Sequence, residues 1–144
     1  MAETQRAAPT TTAAAERVDG DRTRVIVVGY SPKAEGRAAL ARALAEARAR
    51  GAEVVVVHTA TDGEVADLRA ELLSAGVPFE IKEAADALDP AEDLITTAEA
   101  RAAEFIVIGL RKRSPVGKLL LGSNAQRVLL DAACPVLAVK AETV

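Results

Sequence analysis

Short apolar runs, rich in Val and Ile, alternate along this chain with longer segments of helical character, and this alternation limits the fold more than any other feature. The predicted strands cover residues 24–28, 54–57, 77–81, 105–108 and 135–139. Most runs are continuous, as in strands buried on both faces, but Val77, Phe79 and Ile81 alternate with other residues, as in a half-exposed edge strand. Strands that alternate with helices predict an α/β fold with a doubly wound parallel sheet and helices on both faces. The periodicity leaves the strand order open.

Local signals predict four helices between these strands. The helices run from Ser31-Pro32 to about Arg50, over 64–75, from Asp89-Pro90 to about Ala102, and from Ser123 to Ala132. Gly51 and Gly76 stand where the first two helices should end, because glycine readily adopts the left-handed conformation of a C-terminal cap. Ser31 is predicted to cap the first helix, and capping boxes at 89–92 and 123–126 are predicted to open the last two.

Composition bounds the domain organisation and excludes several function classes. Residues 1–22 are rich in Ala, Thr and Pro and are predicted to form a disordered N-terminal tail, whereas residues 23–144 form a single domain. One Cys and one His argue against an internal disulfide and a zinc cluster. A net charge of −3, two Phe, one Tyr and no Trp disfavour nucleic-acid binding, and no apolar run approaches the length of a membrane span. We expect a cytoplasmic protein without nucleic-acid or membrane partners.

A basic segment joins the fourth predicted strand to the last predicted helix. From Phe105 to Leu130 the chain has no Asp or Glu, and its cationic residues are Arg111, Lys112, Arg113, Lys118 and Arg127. Cationic side chains and the free amides at a helix start both attract anions. One interpretation is a phosphate cradle that uses the amides of Ser123 and Asn124. The other is a solvated cationic surface beside a helix that Ser123 caps.

The chain shows no recognisable catalytic constellation, so we expect no catalytic residues and no enzyme activity. His58 ends the second predicted strand, where a lone histidine is more often a satisfied sheet-end residue than a catalyst. Cys134 precedes a proline and is interpreted as a small buried hydrophobic residue. The chain lacks a G-x-S-x-G nucleophile elbow, and Leu119 stands where a P-loop needs Ser or Thr.

Three segments, 103–114, 118–129 and 133–140, resemble the C-terminal half of universal stress proteins. Residues 25–40 and 54–59 match the family less specifically, and the resemblance covers about residues 23–141. It implies a five-stranded parallel sheet in the order 3-2-1-4-5, with a site between the loops after strands one and four. It also implies a homodimer, often formed through the last strand.

The resemblance further implies bound ATP, with Mg²⁺, because nucleotide-binding members carry G-x2-G-x9-G-[ST]. The residues carried over to the phosphates are Gly109, Lys112, Ser114, Gly122, Ser123 and Asn124, with Ile108 on the adenine side. Lys112 replaces the second motif glycine, and Gly29 replaces the acid that the family places near the ribose. Two functions are therefore weighed: a nucleotide-binding stress-response module, and a dimeric interaction protein of the same fold. Slow ATP hydrolysis, which some family members catalyse, is a third possible function that the resemblance implies.

Overall fold

The structure, a computed structural model, describes residues 24–86, 89–111 and 121–141, so the predicted tail at 1–22 lies outside the described residues. The predicted alternation of strands and helices is confirmed. In chain order the elements are β1 (Val25–Tyr30), α1 (Ala34–Arg50), β2 (Glu53–His58), α2 (Asp62–Ala75), β3 (Phe79–Glu83), α3 (Pro90–Arg101), β4 (Phe105–Leu110), α4 (Ser123–Asp131) and β5 (Val136–Lys140). None of these helices is long and apolar enough to cross a bilayer.

The five strands form one parallel sheet in the order β3-β2-β1-β4-β5, which confirms the order that the resemblance implied. β1 is central, and its Val27 lies opposite Val55 on β2 and Ile106 on β4. β3 is an edge strand with half-buried Phe79 and Ile81, as their alternation predicted. The strand order reverses between β1 and β4, and open sheets of this kind bind ligands beyond the strand ends at that point.

Alternate residues of β1 supply two apolar layers. Ile26 and Val28 pack on the face covered by α1 and α2, whereas Val25 and Val27 pack on the face covered by α3 and α4. From 26 to 28 the strand has no measurable solvent exposure. Full burial on both faces explains why the run is continuously apolar, and it fixes the position of β1 between the two helix pairs.

The predicted ends of α1 and α2 at glycines are confirmed, but the predicted start of α1 is wrong. Gly51 and Gly76 cap α1 and α2 with φ of 65° and 71°. The N-cap position of α1 is Lys33, and no side-chain cap hydrogen bond is formed there. Ser31 instead crosses closely over the helix: a Cβ atom at Gly36 would lie 2.3 Å from the Ser31 main-chain nitrogen. The sequence pattern shows the proline but not this crossing.

β3 and α2 also begin at residues other than those predicted. β3 starts at Phe79 rather than 77, directly after Pro78, which has no N–H to donate to a ladder. α2 starts at Asp62 rather than 64, because Thr61 and Glu64 form a capping box. In that box the Thr61 amide donates to Glu64 Oε1 at 2.8 Å, and the Glu64 amide donates to Thr61 Oγ1 at 3.4 Å.

Gly109 lets the first turn of α1 approach the end of β4. A Cβ atom at Gly109 would lie 1.9 Å from the carbonyl oxygen of Glu35 and 2.5 Å from its carbonyl carbon. Both atoms belong to the helix main chain, so no rotation of a side chain can relieve the overlap. This contact places the start of α1 at the carboxyl edge of the sheet, beside the crevice between β1 and β4.

We predict that Gly109→Ala destabilises the fold by about 3 kcal/mol, because the methyl group must displace the first turn of α1. Urea unfolding measures this change. Gly63→Ala is the matched control, since a Cβ atom there meets nothing within 4 Å. Alanine in place of glycine inside a helix should stabilise the control by about 0.5 kcal/mol or more. A Gly109→Ala protein as stable as wild type would contradict the close approach.

Candidate functional site

Three main-chain segments meet at the carboxyl edge of the sheet, between β1 and β4. The first turn of α1 lies on Gly109, as described above. Arg111 follows β4 directly, and its Cδ atom would lie 3.9 Å from a Cβ atom at Gly122, the residue that precedes α4. The structure therefore brings the predicted residues Gly109, Gly122, Ser123 and Asn124 to one edge. The predicted residues Lys112 and Ser114 lie outside the described residues.

The N-terminus of α4 has no side-chain cap among the described residues, so the predicted capping box at 123–126 is wrong. Ser123 is the first helical residue, and Gly122 occupies the N-cap position with φ −65° and ψ 160°. The first helical hydrogen bond runs from the Gln126 amide to the Gly122 carbonyl oxygen at 3.0 Å. The amides of residues 123–125 therefore have no acceptor within the helix, and they form the positive end of its dipole.

Asn124 caps the neighbouring helix rather than its own. Its Oδ1 accepts a hydrogen bond from the Ala91 amide, in the first turn of α3, at 3.4 Å. Ala91 is fully buried, so this amide would otherwise have difficulty reaching water. Asp89 occupies the N-cap position of α3 but makes no cap hydrogen bond, so the predicted box at 89–92 is also wrong. The side-chain oxygen of Asn124 is therefore engaged by α3, whereas its main-chain amide, the group predicted to face the phosphates, has no acceptor within α4.

Arg127 explains why Asp89 does not cap its helix. Its Nη1 donates to Asp89 Oδ2 at 3.0 Å and to Oδ1 at 3.2 Å, and its Nη2 donates to Glu92. Its Nε lies 3.6 Å from Asp131 Oδ2 on its own helix. Carboxylates thus neutralise Arg127, and it adds little free positive charge to the predicted anion site. Arg111 is exposed and forms no ion pair with another described residue.

The end of β1 is apolar on the side that α3 covers. A Cβ atom at Gly29 would lie 3.1 Å from Leu94 Cδ1, so the α3 side chain occupies the space beside this glycine. Ile108 belongs to the same apolar layer and is 5% exposed. Its predicted place on the adenine side therefore requires a ligand to reach the rim of this layer.

The polar side chains at the ends of β1 and β2 are paired within the protein. His58 is buried, and its Nδ1 accepts a hydrogen bond from the Ala60 amide at 3.0 Å, which confirms its interpretation as a satisfied sheet-end residue. Burial raises the pKa of the Tyr30 hydroxyl, and the hydrogen-bonded Arg37 opposes that shift. The sequence analysis missed the Tyr30–Arg37 contact, since no local pattern marks a pair seven residues apart. The described residues contain no group of three potential metal-ligating side chains.

Half-buried Cys134 lies in the apolar layer under α3 and α4, as its interpretation as a small hydrophobic residue expected. Burial raises the pKa of its thiol, with a smaller contribution of the same sign from Glu99. A thiol with a raised pKa is a poor nucleophile at neutral pH.

We predict that Asn124→Ala lowers the free energy of unfolding by about 1 kcal/mol, because the buried Ala91 amide loses its acceptor. Ser123→Ala is the matched control and should change stability by less than about 0.5 kcal/mol, since Ser123 is not the N-cap residue. Urea unfolding of both variants tests the reassigned caps. A larger loss for Ser123→Ala than for Asn124→Ala would restore the cap that the sequence pattern suggested.

Comparison with known proteins agrees with this geometry. The model of the universal stress protein family matches residues 22–140. A universal stress protein of Mycolicibacterium smegmatis is 46% identical over 127 aligned positions, and the match covers 81% of this chain and 97% of that protein. The structure of an Archaeoglobus fulgidus universal stress protein is 32% identical with a TM-score of 0.64, over 83% of this chain and 99% of that one. Another from that organism, in complex with dAMP, is 26% identical with a TM-score of 0.60, over 83% and 98% of the two chains. The chain therefore belongs to the universal stress protein family.

Proposed function

We propose that this protein is a stress-response module that binds an adenine nucleotide, ATP foremost, with the phosphates at the N-terminus of α4. Gly122 is the observation that carries the proposal. Its φ of −65° is accessible to any residue, and among the described residues a Cβ atom there would meet only Arg111 Cδ, at 3.9 Å. Packing against the described residues therefore does not require a glycine at 122, in contrast to Gly109. A glycine that packing does not require leaves the main chain open to a ligand.

The distribution of helix caps supports a polyanion at this edge. The N-termini of α1 and α4 form no side-chain cap hydrogen bond, whereas α2 has a capping box and α3 receives Asn124. The two uncapped helices are those that reach the end of β4 and the segment after it. Their dipoles and Arg111 favour negative charge at this edge. Because the described residues offer no metal cluster, Mg²⁺ would arrive on the phosphates of the nucleotide.

The adenine nucleotide is proposed partly from a relative. The Archaeoglobus fulgidus protein in complex with dAMP shares the fold over nearly its whole length. In this chain the base would lie at the rim of the apolar layer that contains Ile108 and Leu94. A binding role without catalysis is proposed, because His58, Asp89 and Glu92 are each engaged in contacts within the protein.

We also propose that the protein forms a homodimer through β5. Such a dimer is compatible both with nucleotide binding and with the second candidate function, a dimeric interaction protein. β5 is an edge strand, and its residues 136–139 are apolar yet only half-buried. Leu129 and Leu130 on α4, the helix that precedes β5, are 39% and 77% exposed. An apolar edge strand is a ready template for pairing with another chain. A cytoplasmic location stays a prediction.

We predict that ATP with Mg²⁺ stabilises the wild-type protein, by about 2.7 kcal/mol at ~100 times its dissociation constant.

Gly122→Val should lower the free energy of unfolding by about 1 kcal/mol or less and weaken ATP binding at least about tenfold, because the branched side chain covers the amides at the start of α4. Thermal unfolding with and without nucleotide, together with calorimetric titration, measures both effects.

Gly63→Val is a control for the introduction of a branched residue at a glycine in the first turn of a helix, since Gly63 also has open space around it. It should leave ATP affinity unchanged. If millimolar ATP does not shift the melting temperature of the wild type, the interaction-protein alternative is favoured. If Gly122→Val binds ATP as tightly as wild type, the phosphates do not lie at α4.

We predict that light scattering at tens of micromolar gives twice the 15.0 kDa mass of the chain. Val139→Lys should shift the protein toward monomer, because the two lysines of a symmetric pair would repel each other across β5. Leu73→Lys is the matched control: Leu73 is 66% exposed, but it lies on α2, away from β5. A wild-type monomer, or a Val139→Lys dimer as stable as wild type, would contradict pairing through β5.

A further inference from the structure

We propose that Arg127 is a positioning residue for the nucleotide site: it does not touch the ligand but holds the start of α4 against the first turn of α3. The term Arg127 clamp denotes its contacts with Asp89 and Glu92. The inference about affinity rests on the proposed function, whereas the mechanical part of the inference does not.

α4 needs such a clamp because apolar burial anchors it weakly. It has nine residues, and Val128 is the one that the structure shows as buried. A free helix of this length is not stable in water, so contacts with the rest of the fold must hold it. Ala125 and Ala132 are small and only partly buried against the same layer, and Leu130 is exposed. Polar contacts to α3 therefore hold α4 in place more than apolar burial does.

At the N-terminus of α3, side chains of α4 provide the polar contacts that residues of α3 would ordinarily make with one another. Asp89 would ordinarily cap α3, but it receives Arg127 from α4; the Ala91 amide of α3 is in turn satisfied by Asn124 from α4. Three contacts thus connect the first turn of α3 to residues 124 and 127, which lie on one side of α4. The same turn of α4 supplies the amides proposed to bind phosphate, so any loosening of the clamp moves those amides.

The clamp also connects the two walls of the crevice. α3 carries Leu94 one turn beyond Pro90, and Leu94 packs beside Gly29 at the end of β1. α4 follows β4 across the crevice. Because both helices meet at Arg127, the distance between the end of β1 and the amides of α4 is set by this clamp.

A direct role for Arg127 in phosphate binding makes a different prediction, which a double-mutant cycle separates from positioning. If Arg127 acts through the two carboxylates, its replacement has no effect once Asp89 and Glu92 are neutral. If Arg127 contacts phosphate, its replacement weakens binding in either background. General effects of net charge on anion affinity are additive and cancel in the coupling energy of the cycle.

The experiment compares the full-length wild type with Arg127→Gln, with the double variant Asp89→Asn, Glu92→Gln, and with the triple variant. Arg101→Gln is the matched control, because Arg101 contacts Glu80 at 2.5 Å and Glu53 at 3.2 Å at the opposite end of α3. The first measurement is amide hydrogen exchange without ligand. The second is the dissociation constant of ATP with Mg²⁺ by calorimetric titration.

We expect Arg127→Gln and the double variant to speed exchange at the hydrogen-bonded amides of Ala91 and residues 126–128 by about tenfold, and Arg101→Gln to leave these amides unchanged. ATP affinity should fall about threefold to tenfold for Arg127→Gln in the native background, in keeping with partly exposed ion pairs to two carboxylates. In the neutral background the further loss should be less than twofold.

Equal loss of affinity in both backgrounds would show that Arg127 contacts the phosphates directly and would overturn the positioning role. Unchanged affinity in both backgrounds would also overturn that role, because the clamp would then be a structural contact without an effect on binding. Unchanged exchange at Ala91 and residues 126–128 in Arg127→Gln would overturn the clamp itself. If the wild type binds no ATP, the proposed function fails, but the exchange measurement still decides whether Arg127 holds α4.

Discussion

Burial of β1 on both faces is the constraint on which the rest of this structure depends. Ile26, Val27 and Val28 have no solvent exposure, so the strand must lie inside the sheet with helices above and below it. β2 and β4 then pair with its two sides, and the strand order reverses between β1 and β4. At the carboxyl edge of this reversal, Gly109 lets the first turn of α1 come close to the end of β4. The site therefore follows from the topology before any polar side chain is considered.

The polar groups at this edge divide into those that pair within the fold and those that have no partner among the described residues. Asn124 and Arg127 lie on α4, the helix proposed to bind the phosphates, yet both contact α3 and satisfy groups there. The main-chain amides at the start of α4 are left without an acceptor in the described chain, and Gly122 leaves them accessible. Recognition would thus depend more on the main chain and helix dipole than on cationic side chains. Such a site favours phosphate, whose oxygens accept several amide hydrogens at once.

The order of the elements and the two layers of the core could be predicted from the sequence, because apolar runs and C-terminal glycines such as Gly51 act locally. The strand order came from the family resemblance, since pairing between β1 and β4 is set by contacts distant in sequence. Two capping boxes were wrong, one because another helix supplies the cap and one because the helix begins at a different residue. Asp89 and Ser123 have the correct local pattern. At α3, however, Asp89 pairs with Arg127 and the cap comes from Asn124, both on α4, whereas α4 itself begins at Ser123, one residue earlier than the pattern indicates. Local patterns cannot register such competition between helices.

The central claim is that the amides of residues 123–125 bind the phosphates of an adenine nucleotide. Nuclear magnetic resonance titration of isotopically labelled protein with ATP and, separately, with adenosine tests it most directly. The account predicts large shifts of these three amide signals with ATP and Mg²⁺, and much smaller shifts with adenosine. ATP-induced shifts that avoid residues 123–125, or equal shifts there with adenosine, would contradict it.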